Sequence, residues 1–334
     1  METSSLAGVW YAIIVLAFLF YVLVDGFDLG SGILSLFIRD DEFVGASVAG
    51  IHGVWHANQT WLVVVGASLF GAFPLAYGVI FSALYLPVGL MLFGLVIRWL
   101  ALEYYYSSAN RVLVGRAYGV GSLIMALAQG AGVGAILAGL PEAEGKFAGD
   151  VWTWLNPFAL LLAAGLPVFY SLLGATWLVC KTEGKVQESG RRAARRTGVL
   201  SLAGAAVVAG YGLAAHPFWA RDWFAQPGFT TTLLPLLIGF LAFIPFFLSL
   251  AKGGERGPFV FSLAAVSFLF LGIASGVYPY IVPPAVTVSA AAADPAVLRF
   301  MLTGMLVVFP LIVIYTFYMY RVFGGKVREL GSES

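Results

Sequence analysis

Asp25 and Asp28 stand three residues apart inside an apolar run extending from Ala7 to Phe37. On a helix, positions i and i+3 share a face. An ionisable group at membrane depth costs about 2.5–3.5 kcal/mol on insertion scales, so two together need a reason. Burial disfavours a carboxylate's charged form unless a cation or hydrogen-bond donors offset it. Such a pair can relay protons or hold an ion. A satisfied polar contact between helices is the alternative. Gly26, Gly30 and Gly32 flank the acids and permit close approach of another backbone.

A second polar group opens the next apolar segment. His52 and His56 are four residues apart, a spacing that can ligate a metal. No Asp, Glu or Cys completes a ligand set nearby, so hydrogen bonding or proton relay is the better reading. Asp28 lies about 14 Å, and Gln59 about 11 Å, from the same end of their straight helices. Asp25, Asp28, His56 and Gln59 are therefore candidates to line one polar route. Five further positions are structural polar candidates. Arg98 and Glu103 are expected to pair or snorkel at the end of a span. Gln129, in the run Gln129-Gly130-Ala131-Gly132, is expected to make one interhelical hydrogen bond. Trp55 and Asn58 flank His56. His216-Pro217, beside Trp219 and Trp223, reads as an aromatic belt.

These residues need a scaffold, and composition dictates its class. The chain has 334 residues, of which 60% are hydrophobic and 10% charged, and its net charge is +1. Mean hydropathy is +0.92. Those values exclude a soluble enzyme, a disordered chain and a nucleic-acid binder. The one cysteine, Cys180, excludes a disulfide framework or a Cys-ligated cluster. The expectation is an all-α membrane protein, one polytopic domain over 1–334. No phosphate-binding glycine loop, Cys-x-x-Cys-His or His-Glu-x-x-His occurs.

Nine stretches have the length a spanning helix needs. They lie near 7–37, 52–73, 76–100, 116–140, 157–180, 197–215, 230–250, 258–281 and 299–323. The first is too long for a signal core and reads as a span. Residues 61–99 would make one helix of about 58 Å. A turn at Pro74 is expected to divide them. Segments 141–156 and 181–196 read as loops too short for a soluble domain. Nine spans place 15 of the 18 Lys and Arg on the face of the C-terminus, leaving Lys146, Arg221 and Arg299 opposite. That asymmetry predicts an outward N-terminus and a cytoplasmic C-terminus. The run Arg191-Arg192, Arg195-Arg196 reads as a topology anchor.

The string Asp25-Gly26-Phe27-Asp28-Leu29-Gly30 resembles the most recognisable motif of subunit II of bacterial cytochrome bd-type quinol oxidases. Trp55, Asn58 and Trp61 keep the frame of that family's second motif. Phe81-Ser82-Ala83-Leu84-Tyr85-Leu86-Pro87, Arg98 to Glu103, Gln129-Gly130 and Tyr278-Pro279-Tyr280 are also similar, in the same order. The length resembles the shorter, cyanide-insensitive-like branch.

The resemblance implies two four-helix bundles plus one peripheral helix, in a prokaryotic cytoplasmic (inner) membrane. It implies a complex that oxidises quinol and reduces dioxygen to water. Subunit I, the partner, would carry the haems: two b-type and one d- or b-type. Small single-span accessory subunits and a structural quinone or lipid also belong to that picture. Subunit II would support assembly and cytoplasmic proton uptake. The family's second motif commonly reads Trp-Asp-Gly-Asn-Glu-x-Trp, whereas here His56 and Gln59 replace both acids. A path through this subunit then runs without those carboxylates, or lies wholly in subunit I. The reading from another class is a secondary transporter with Asp25 and Asp28 as its coupling-ion site.

Overall fold

The structure, a computed structural model, describes residues 2–215, 223–224 and 229–327. His216, Pro217, Trp219, Arg221 and Arg328 lie outside the described residues. Helix α1 spans Glu2–Phe37, 36 residues or about 54 Å. A short helix α2, Asp41–Ile51, follows, capped by the Asp40 carboxylate. Then come α3 (Trp55–Ala72), α4 (Pro74–Ala83), α5 (Tyr85–Tyr104) and α6 (Arg111–Ala138). A hairpin of β1 (Glu142–Ala143) and β2 (Lys146–Phe147) leads to α7 (Pro157–Lys181) and α8 (Gly184–Ala215). After a π turn at Phe229–Leu233 come α9 (Leu234–Leu241), α10 (Phe243–Ala251) and α11 (Gly257–Val277). A second hairpin, β3 (Tyr280–Val282) with β4 (Val286–Thr287), precedes α12 (Val288–Ala291) and α13 (Pro295–Val322).

Among the described residues, eight helices are long and apolar enough to cross a membrane, counting Phe229–Ala251 as one. Helix α3 falls outside that set. It has 18 residues, but His56, Asn58, Gln59 and Thr60 make its first two turns polar. Pro74 begins α4 directly after Phe73, where a break was expected. The single span expected over 76–100 instead bends at Leu84, between α4 and α5. The segment 181–196, expected as a loop, is mostly the first turns of α8. Its Arg191 anchors to the carbonyls of Gly253 and Gly254, at 2.9 Å each. The expected tail of span eight is strand β3, because Pro279 donates no ladder hydrogen bond.

Long-range hydrogen bonds sort the helix ends into two sets. At one end Trp10 donates to the Leu298 carbonyl (3.1 Å) and Ala293 N–H to the Ala72 carbonyl (2.9 Å). At the other, Trp177 donates to the Gly50 carbonyl (3.2 Å). There Lys181 Nζ also donates to the carbonyls of Phe323 (2.8 Å) and Gly325 (3.0 Å), and lies over the Trp177 ring. This second end carries most of the basic residues.

Helix α13 is the least covered long helix, with 6% of its most apolar window buried, so its C-terminal anchorage matters. Lys326 pairs there with Glu183 (3.1 Å) and Glu255 (2.9 Å). Hydrogen bonds from Lys326 and Gln187 hold the Glu255 carboxyl below the usual carboxylate range, and Glu255 holds the Lys326 amine above the usual lysine value. The acid's contribution is lost as pH falls through its depressed value. The amine's is lost as pH rises through its elevated one. Amide-exchange protection in residues 323–327, relative to the intrinsic rate at each pH, is therefore expected to be greatest between those limits and to fall with added salt. Protection that is flat from acid to alkali would refute the pairing.

Candidate functional site

The site forms where α1, α3, α5, α6 and α13 meet. Two glycine contacts set its geometry. A Cβ on Gly30 of α1 would collide with the Tyr170 carbonyl of α7, so these backbones touch. A Cβ on Gly121 of α6 would meet the Arg98 nitrogen and Gly94 oxygen of α5 at 2.7 Å each. Only glycine admits so close a crossing, and it brings Arg98 inward against α1.

Arg98 is fully buried, as are Asp25 and Asp28. Its guanidinium grips Asp25 with both ends, Nη2 to Oδ1 at 2.7 Å and Nη1 to Oδ2 at 3.1 Å. This bidentate form is the strongest that a carboxylate and arginine make. Nη2 also lies 3.5 Å from Asp28 Oδ2. Asn58 Nδ2 donates to that same Oδ2 at 2.9 Å and to the Val24 carbonyl at 3.1 Å. Tyr320 of α13 donates to Asn58 Oδ1 at 2.8 Å, which fixes the amide's orientation. Tyr118 of α6 donates to the Asp28 backbone carbonyl at 2.7 Å. Asp28 Oδ1 and Arg98 Nε are buried and have no side-chain or backbone partner among the described residues. Two acids face one guanidinium, so the cluster is one proton short of neutral when both carboxylates are ionised.

Asp25, Asp28, Asn58 and Arg98 therefore meet, while other expected site residues stand apart. Arg98 was expected to pair with Glu103 at an interface. Helix α5 instead continues past it to Tyr104, placing Arg98 in the interior and leaving Glu103 exposed. Arg98 accordingly leaves the count of basic residues on the loops. His56 is exposed and sits two residues from Asn58, so it points away from the cluster. Gln59 is half-buried, and its Nε2 lacks a partner. Trp55 is a core residue, 1% exposed. Gln129 makes two interhelical bonds rather than one, donating to the Tyr21 hydroxyl (2.5 Å) and accepting from Tyr170 (2.8 Å). Gln129→Leu would leave buried hydroxyls without that partner and is expected to cost about 1–3 kcal/mol. A lower thermal midpoint in detergent would register it, and an unchanged midpoint would count against these bonds.

Sequence reasoning missed Tyr21, Tyr118 and Tyr320. Each looked like one more aromatic of an apolar helix, and only its hydroxyl's distant partner distinguishes it.

Gln129 and Tyr170 also edge an apolar cavity of about 320 Å³, walled by Phe18, Leu236, Phe240 and Phe270 among others. No described histidine lines it. The described histidines, His52 and His56, are exposed at the first turn of α3 and just before it. Haem needs an axial side chain inside an enclosed apolar pocket. The described lining of this cavity offers no histidine, cysteine or methionine for that position, and the Tyr11 and Tyr170 hydroxyls donate to the Ala274 carbonyl and to Gln129. Among the described residues, no three His, Cys, Asp or Glu gather into a metal-holding group.

Comparison with known proteins matches this arrangement to one family. The chain is 25% identical to cytochrome bd-I ubiquinol oxidase subunit 2 of Escherichia coli K12, over 98% of this chain and 97% of that protein. It is 24% identical to cytochrome bd ubiquinol oxidase subunit 2 of Bacillus subtilis, over 70% of each. Its fold is similar to a chain of the bd oxidase from Geobacillus thermodenitrificans, with a TM-score of 0.79 over 96% of this chain and 98% of that one, at 18% identity. The family model for cytochrome bd terminal oxidase subunit II matches residues 6–323, and the chain belongs to that family.

Proposed function

We propose that this chain is the non-haem subunit of a quinol-oxidising, dioxygen-reducing complex in a bacterial inner membrane. Its partner, subunit I, carries the haems. The observation that carries the subunit's own role is the Asp25–Arg98–Asp28 cluster, fully buried at membrane depth. One proton separates its charged and neutral states, so it can store or pass a proton taken from the cytoplasm. The transporter reading has no support. Its two acids are already bound by Arg98 and Asn58, and the family is an oxidase family.

The chain crosses the membrane nine times in this reading. Helix α3 is the ninth span, α4 with α5 makes one, and α9 with α10 makes one. The end bearing Lys181 and Lys326 is cytoplasmic, by its excess of Lys and Arg. Two four-helix bundles and a peripheral helix divide the spans. The partner covers the face of α3, α5 and α13. Phe300, Leu306 and Phe317 of α13 are exposed there, and so are the polar His56 of α3 and Glu103 of α5, which lipid would not solvate. The apolar cavity fits a lipid tail or the ring of a structural quinone. Small accessory spans pack on lipid-facing helices.

The test is purification of the tagged chain from its native membrane, followed by a reduced-minus-oxidised spectrum and quinol-dependent oxygen uptake. Haem bands are expected in the complex and none in the chain purified without subunit I. A colourless, single-component sample from the native membrane would sink the proposal.

A further inference from the structure

The basic end of the bundle holds an open groove of about 1710 Å³. It lies between the end of α1, the helix α2, the turn after α5, and the first turns of α6 and α8. Arg39, Arg111, Arg116 and Lys185 line it, and all four are exposed. None of the four is paired with a described carboxylate. Three other cations of this end are engaged. Lys181 caps the carbonyls of Phe323 and Gly325, Arg191 those of Gly253 and Gly254, and Lys326 joins Glu183 and Glu255.

The acids of the groove are accounted for. Glu183 holds Lys326, while Asp41 and Glu42 occupy the first turn of α2, where they complement that helix's positive end. The first turn of α8 has no acidic residue, and its Gly184, Lys185 and Val186 line the groove. Its free N–H groups add to the positive field of the four side chains. Between the cations the walls are mixed, with apolar Val44, Ala46, Ala49 and Val112 beside polar Ser108, Asn110 and Thr182. Orientation in a membrane requires basic residues on this side, but not their convergence. Arg195 and Arg196 meet that requirement on the outward face of α8, outside the groove.

We infer that this groove binds a phosphate-bearing anion, whether the phosphodiester of an acidic lipid headgroup or free phosphate. The four cations supply the charge, and the mixed walls between them suit a glycerol backbone. The inference does not depend on what the Asp25 cluster does.

The test uses the complete oxidase complex in lipid discs of three kinds: phosphatidylcholine alone, phosphatidylcholine with a minor fraction of phosphatidylglycerol, and phosphatidylcholine with millimolar inorganic phosphate. Native mass spectrometry reads retained phosphatidylglycerol, and the thermal midpoint reads either anion. Each of Arg39→Gln, Arg111→Gln, Arg116→Gln and Lys185→Gln is expected to weaken retention about fivefold, as loss of one interfacial cation does. The pair Arg195→Gln with Arg196→Gln is expected to leave it unchanged. All these side chains are exposed, so the variants fold. A midpoint raised by phosphatidylglycerol alone assigns the headgroup, and one raised equally by phosphate assigns the free ion. Loss of retention in the Arg195/Arg196 pair equal to that in the groove variants would overturn the site. So would a wild-type midpoint that neither anion moves.

Discussion

Arg98→Leu is expected to remove most of the folded chain from the membrane. The substitution leaves Asp25 and Asp28 fully buried with no cation between them. Breaking a buried ion pair by deleting one partner costs about 3–5 kcal/mol, because the remaining charge is left uncompensated. Against a total stability of about 5–15 kcal/mol, that loss is large. Adding Asp25→Asn and Asp28→Asn to Arg98→Leu removes the stranded charges and is expected to recover much of the material. The measurement is the yield of folded chain in detergent extract for the single and triple variants. Wild-type yield from Arg98→Leu alone would refute the electrostatic account, and equal loss in both would assign the effect to packing.

Asp25→Asn is expected to do the reverse, sparing the fold and damaging turnover. The amide oxygen still accepts from Arg98, and Arg98 with Asp28 then makes a neutral pair. What disappears is the carboxylate's capacity to take up a proton. Positioned proton-transfer groups contribute at least about 100-fold to rate, and oxygen uptake is expected to fall on that scale at unchanged haem content. Asp28→Asn should behave similarly, since Asp28 shares the guanidinium and accepts from Asn58. Wild-type turnover in both variants would leave the cluster a structural role only. Exposed and outside the hydrogen-bonded set, His56 is expected to matter far less: His56→Ala should leave the dependence of turnover on cytoplasmic pH intact.

The two acids were legible because nothing else in their apolar run is charged. Their common face followed from helical spacing, and the structure keeps them in one continuous helix. Asn58 was legible as a polar position but not as the group that holds Asp28. Arg98 was misplaced for a physical reason. Hydropathy ends a span at the first charge, whereas this charge is compensated by residues about 70 positions earlier. Chain-local patterns carry no record of such a partner. The hairpins at Glu142–Phe147 and Tyr280–Thr287 were missed because each strand has only two or three residues, too few to show alternation. The bend at Leu84 is likewise invisible in composition, since the residues on both sides of it are equally apolar.

The distance along the chain between Asp25 and Arg98, 73 residues, also sets a schedule. At about 5–20 residues per second, ribosomal synthesis separates the two by about 4–15 s. Through that interval α1 has entered the insertion machinery with two acids and no counter-ion. It is the least hydrocarbon-soluble while it is the newest. The helix must therefore wait in a protein-lined or hydrated environment until α5 arrives. Substitutions that slow the emergence of α5 should then expose α1 to membrane proteases during biogenesis, although the finished protein would be unaltered.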